Sequence, residues 1–193
     1  MMNKILYIFD NNENKDYKYN ISEDTIIYHF GVNSSSNVEI NLVKDGICLY
    51  YYYSAINYND NYFNIRINHL ESNTHSEVIN HGVNVGCSKL NFIVDGIVPK
   101  KCTKCICNQD NQIINIKDGR STIKPNLFID NYDVISNHAA YIGKFRDEVI
   151  FYLMSRGIDR KKCYELLIYG FLISDDSIDK NKIEKFVDEI KKI

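Results

Sequence analysis

The feature that most constrains this chain is a recurring pattern of short runs rich in Ile, Val, Tyr and Phe, each ended by Asn, Asp, Gly or Ser. The runs fall at 4–9, 25–30, 38–42, 47–54, 62–67, 90–94, 113–116 and 127–129. Many alternate apolar with polar residues, as in Val38-Glu39-Ile40-Asn41-Leu42 and Phe63-Asn64-Ile65-Arg66-Ile67. Successive side chains of a strand point to opposite faces, so this alternation builds one face for a core and one for solvent. Clusters at 11–14, 33–37, Lys44-Asp45-Gly46 and Lys117-Asp118-Gly119 read as the intervening turns. Many short strands fit a sandwich, a barrel or a solenoid. No strict repeat motif is present, so periodicity leaves sandwich and solenoid equally open.

After Gly143 the pattern changes. Within 147–156, Val149, Ile150, Leu153 and Met154 are spaced as on one helix face, and Gly157 follows as a natural stop. Asp159 is placed to cap a second helix over 160–173, carrying Cys163, Leu166, Leu167 and Phe171. A third segment, 179–192, sets Ile183, Phe186, Val187 and Ile190 on one stripe. The chain therefore divides into a strand-rich body, 1–143, and a helical region, 144–193.

The formal net charge of −2 provides no basic field for a nucleic acid backbone. No stretch approaches the ~20 apolar residues of a membrane span. The apolar run at the N-terminus is too short for a signal peptide, so the chain reads as cytoplasmic. Its six cysteines are then expected as thiols, suited to metal or cluster chemistry more than to disulfides.

From His69 to Leu172 an ordered series of motifs appears. It runs through Ser88-Lys89-Leu90-Asn91-Phe92-Ile93-Val94-Asp95-Gly96, then Lys124-Pro125-Asn126-Leu127-Phe128-Ile129. Next come Asp133-Val134-Ile135-Ser136-Asn137-His138-Ala139-Ala140 and Phe151-Tyr152-Leu153, closing on Ser155-Arg156-Gly157-Ile158. The series resembles the C-terminal half of the SufB/SufD family, the scaffold proteins of SUF iron–sulfur cluster assembly. Order and spacing match over about half the chain; residues 1–62 match weakly and look like shortened coils. The resemblance implies a mainly β fold: a right-handed parallel β-helix (β-solenoid) followed by a small C-terminal helical region.

The same resemblance implies a non-catalytic scaffold subunit. Its partners would be a SufC-type ABC ATPase and either a SufB-type scaffold or a second copy of this chain. His138 falls on the family histidine that lies near the SufB–SufD junction, so it is the candidate for holding a transient iron–sulfur cluster shared with a partner. Phe151, Tyr152, Arg156, Leu167 and Phe171 are the candidate ATPase-docking residues. Three departures stand out. Ser136 sits where many SufD proteins have Cys, and Ala139 where SufB proteins carry Glu. The Cys-Asp pair of SufB proteins is replaced by Asp110-Asn111. These departures make the chain SufD-like. They also support an alternative: a repurposed β-solenoid interaction module without iron chemistry.

Other residues carry weaker signals. Cys102-Thr103-Lys104-Cys105-Ile106-Cys107 contains a Cys-x-x-Cys pair, and Cys102 with Cys105 is a candidate metal pair, although no second close pair completes four ligands. His69, His75 and His81 recur every six residues and read as turn and strand-edge residues. The Tyr50-Tyr51-Tyr52-Tyr53 run has no basic stripe beside it and reads as packing. No Gly-rich phosphate loop or nucleophile elbow is present.

Overall fold

The computed structural model describes residues 4–175 and 177–193. Strands alternate between two sheets along the chain. One sheet has six strands, in the order β1 (Lys4–Asn11), β3 (Thr25–Val32), β5 (Cys48–Asn57), β7 (His75–Asn84), β9 (Cys105–Asn115) and β11 (Val134–Gly143). The other has five, running β10 (Thr122–Ile129), β8 (Leu90–Val98), β6 (Asn61–His69), β4 (Ser35–Leu42) and β2 (Asn14–Ile21). Every neighbouring pair is parallel. Each coil thus contributes one strand to each sheet, and the body is a β-solenoid, which resolves the choice left open by the alternation.

The coils differ in length, which is why no fixed period is legible. Asn33 Nδ2 donates to Asn12 Oδ1 across 21 residues, Asn64 to Asn37 across 27, and Asn80 to Asn111 across 31. Parallel in-register strands bring equivalent side chains of adjacent coils together, so insertions in the turns leave the ladders intact. The turns share conformations instead. Asn12 and Asn33 adopt left-handed backbone at one corner; Gly46, Asn73 and Lys104 do so at another. Short polar side chains and glycine tolerate that region best. The runs at 75–84, 105–112 and 134–143 are strands that the apolar pattern did not mark, because Asn, Gln, His and Ser occupy many of their inward positions; 14–21 is another, with Tyr17, Tyr19 and Ile21 inward between Lys18 and Asn20.

The interior of the early coils is apolar, built from Ile27, Ile40, Leu49, Tyr51, Tyr53, Phe63, Ile65 and Phe92. Tyr53 stacks on Phe63 with centroids 3.6 Å apart. The tyrosine run is accordingly packing: Tyr51 and Tyr53 face inward and are buried, while Tyr50 and Tyr52 face outward.

Three helices follow: α1 (Asp147–Ser155), α2 (Arg160–Leu172) and α3 (Glu184–Ile190). Gly157, at φ 84°, closes α1, with Gly157 N–H donating to Met154 O and Ile158 N–H to Leu153 O. Asp159 Oδ1 accepts from Lys162 N–H and caps α2. The third segment is not one continuous helix: Asp179 caps a single 3-10 turn, Lys180–Lys182, before α3 begins. The segment returns across the outer face of the six-stranded sheet. Phe186 and Ile190 bury there against Phe30, Val32 and Ile56, and Tyr7 OH accepts from Asp179 N–H. A parallel sheet covered on both faces gives continuous burial, as in β3. The five-stranded sheet keeps its outer face in solvent, and its strands alternate.

Candidate functional site

The solenoid ends at β10 and β11, each the terminal strand of its sheet. Their outer edges have no strand beside them among the described residues. The register fixes where each β11 side chain points. Ser136 pairs with Cys107, His138 with Gln109 and Ala140 with Asn111, and those three β9 residues face the buried interior. Paired residues of parallel strands project to the same side. His138 therefore lies on the inward-facing row of the last coil. It is exposed because no coil follows. Ser136 is half-buried beside it, and Ala139 is exposed on the opposite row.

Beneath this mouth the interior turns polar. Asn80, Asn111 and Gln109 are buried, and Asn80 Nδ2 donates to Asn111 Oδ1 at 2.7 Å. Gln109 Nε2 donates to Asn126 O at 3.2 Å, while Gln109 Oε1 and Asn80 Oδ1 are buried without a partner among the described residues. These amides were not singled out from the sequence; the excess of Asn and Gln at alternate positions of 105–115 was the available signal.

Cys102, Cys105 and Cys107 are all buried, packed with Val98, Leu127, Ile129 and Val134. Cys102 Sγ donates to His69 O, and Cys105 Sγ lies 3.4 Å from Thr74 Oγ1. Burial pushes the Cys102 thiol up; it takes Cys107 to about 11, offset in part by a hydrogen bond with Ser76. Both shifts favour the thiol over the thiolate that binds metal. Among the described residues, no three His, Cys, Asp or Glu side chains converge as a metal site.

The three spaced histidines do not form a row. His69 is sealed inside, its Nδ1 2.7 Å from Thr74 Oγ1 and its Nε2 2.9 Å from Ser76 Oγ, and burial lowers its pKa to about 4. Thr74 gives its hydroxyl proton to Glu71 O, so His69 donates from Nδ1 and accepts at Nε2. His75 opens β7 beside Glu77. His81 faces outward under α2, where Nδ1 donates to Phe171 O and the ring stacks on Phe171.

On the helices, α1 buries only Ile150. Val149 and Met154, expected on the inner stripe, are exposed, as are Phe151 at 75% and Tyr152 at 56%. Arg156 lies over the Tyr152 ring, 5.3 Å from its centroid. Leu166 of α2 is exposed, whereas Leu167 is half-buried. Phe171 faces the solenoid. Around the end coil, Phe128, Ile135 and Tyr141 are exposed on the outward rows of β10 and β11, with Tyr132 in the turn between them and Ile142 on the inward row. Solvated apolar side chains at this density mark a contact surface more often than a bare one.

The family model described as SUF system FeS cluster assembly, SufBD core domain, matches residues 23–171. The iron–sulfur cluster assembly protein SufD of Bacillus subtilis is 31% identical over 111 residues, 57% of this chain and 25% of that protein. SufD of Escherichia coli is 39% identical over 62 residues, 32% of this chain and 15% of that protein. SufB of Bacillus subtilis is 29% identical over 129 residues, 61% of this chain and 27% of that protein. The matches thus span about a quarter or less of the length of these relatives. Motif order, solenoid and family match agree: the chain belongs to the SufB/SufD family of iron–sulfur cluster assembly proteins and is SufD-like within it.

Proposed function

We propose that this protein is a non-catalytic, SufD-like scaffold subunit that works in the cytoplasm. It pairs through its open solenoid end with a SufB-type scaffold or a second copy of itself, and it docks a SufC-type ATPase on α1 and α2. The observation that carries this reading is the end coil. Two unpaired strand edges, exposed apolar side chains on and beside them, and an inward-row histidine occur together there. Unpaired edges are templates for a partner's strands, and main-chain hydrogen bonds across them supply affinity. A partner seated on β10 and β11 would close the mouth over His138. The nascent cluster is cargo in this scheme, and His138 is the group on this chain that offers it a nitrogen ligand.

Docking of the ATPase rests on the solvated face of Phe151, Tyr152, Val149, Met154 and Leu166, with Arg156 at its edge. Buried aromatics and arginine are the usual anchors of such contacts. Pull-down of purified SufB and SufC by the tagged chain tests the scheme. Retention of both, with SufC lost in Phe151→Glu and SufB or the self-pair lost in Ile135→Lys, is the expected result. Retention of neither leaves the repurposed interaction module, which Ser136 and Ala139 favour because neither side chain is a good iron ligand.

A further inference from the structure

Gln109 is 4% exposed, and its amide is oriented by the chain itself. Its Nε2 donates to the Asn126 carbonyl, which can only accept, so the other amide atom is the oxygen. That Oε1 is buried with no partner among the described residues. An acceptor stranded in this way is costly, and one left beside a movable donor is poised to pair with it. The residue in register with Gln109 on the neighbouring strand, on the same inward row, is His138. His138 is exposed and makes no side-chain hydrogen bond among the described residues.

From this juxtaposition we infer that Gln109 is the positioning residue for His138. Its Oε1 accepts the Nδ1–H of the imidazole and leaves Nε2 facing the mouth. Nδ1 is the ring nitrogen nearer the backbone, so it is the one that meets a group a single strand away. Nε2 projects farther and is left with its lone pair outward. Histidines that bind metal usually give their other N–H to a neighbouring carbonyl or carboxylate, which holds both ring orientation and tautomer. The role depends on the proposed function of His138, but the hydrogen bond itself does not.

The test uses the full chain with labelled histidine at pH 8, where an unperturbed imidazole is neutral. Nitrogen-15 shifts report the tautomer, and His138→Ala assigns the signal. Free imidazole side chains favour Nε2–H, so a dominant Nδ1–H form of His138 is diagnostic. The expected result is Nδ1–H in the wild type and in Gln109→Glu, which keeps an acceptor, with reversion to Nε2–H in Gln109→Met. Far-ultraviolet circular dichroism establishes that each variant is folded. A wild-type His138 already in the Nε2–H form, or a tautomer unchanged by Gln109→Met, overturns the inference. Titration with Co2+ separates the two levels of the argument. Gln109→Met should weaken Co2+ binding about 10- to 100-fold, as loss of an outer-shell partner commonly does. Equal Co2+ binding by wild type and His138→Ala would remove the ligand role of His138 and leave the tautomer result standing.

Discussion

His29 Nε2 lies 2.8 Å from Asp10 Oδ2, and both side chains are sealed from solvent. This pair ties the first coil to the second. Asp10 also accepts from Tyr17 OH at 2.6 Å and Ser36 Oγ at 3.0 Å, while His29 Nδ1 meets Tyr51 OH at 2.7 Å. Burial pushes the Asp10 carboxyl up, but the hydrogen bonds from His29, Tyr17 and Ser36 outweigh it and hold it at about 2. Burial dominates at His29 and lowers its pKa despite the carboxylate. The arrangement is a carboxylate facing a neutral imidazole that donates from Nε2 and accepts from Tyr51. Asp10→Ala would strand the His29 and Ser36 donors in the interior and the Tyr17 hydroxyl at its margin. At about 1–3 kcal/mol for each unsatisfied group, the variant should lose about 3 kcal/mol or more, read from urea unfolding.

Acid should unfold this protein in two stages. His29 and His69 have lowered folded-state pKa values, so the unfolded chain binds their protons first. Stability from such groups is complete above pH 6.5 and falls as pH drops, for His69 down to about 4. Each contributes a slope of up to about 1.4 kcal/mol per pH unit within its window. The Asp10 contribution is lost only between its ordinary value of 3.8 and about 2. Urea midpoints at pH 7.5, 6.0 and 5.0 should decline steadily; a flat profile would contradict a neutral interior at His29 and His69.

The returning C-terminal segment should behave as part of the solenoid and not as an appendage. Phe186 is fully buried, with its ring 4.9 Å from that of Phe30. Ser54 Oγ donates to Leu172 O, and Tyr28 OH donates to Asp175 Oδ2. Phe186→Ala should cost about 3–5 kcal/mol, as for other aromatic truncations in cores. Hydrogen exchange should show lost protection in β3 and β5 as well as α3. Loss confined to α3 would mean the segment is energetically separate.

Gly96 occupies a place that no side chain fits. A Cβ there would lie 2.5 Å from Cys107 Sγ and 3.0 Å from Gln109 Nε2. Gly96→Ala should destabilise by about 1–3 kcal/mol through overpacking. Differential scanning calorimetry of the variant reads the effect. An unchanged melting temperature would show that the coil beneath the mouth yields more readily than its packing suggests.

Phe151 offers the opposite case. It is 75% exposed, so Phe151→Glu should alter folding stability by no more than about 0.5 kcal/mol. An ATPase that docks on α1 should nevertheless release the variant. Stability and SufC retention measured on the same preparation separate a contact residue from a folding residue.

The strand-then-helix order, the turns, the Gly157 stop and the Asp159 cap follow from local chemistry, and all are legible residue by residue. The motifs around His138 carried the family. The strands with polar inward rows were not legible. In β7, β9 and β11 an inward Asn, Gln, Ser or His is satisfied or stranded according to its neighbour one coil away, some 30 residues distant in sequence. The helix stripe of α1 misled for a related reason: periodicity defines an apolar face, but packing decides whether that face is covered, and here only Ile150 is.

By itself, then, the sequence determined that short alternating strands would form and that helices would follow them, because strand alternation, helix spacing and capping are properties of neighbours in the chain. Only the tertiary structure decided which residues meet across coils. It set His138 over Gln109, sealed the three clustered cysteines in the interior and left Phe151 in solvent. Unequal coil lengths hide that register from any count along the chain, and it emerges only when parallel strands come into hydrogen-bonding alignment.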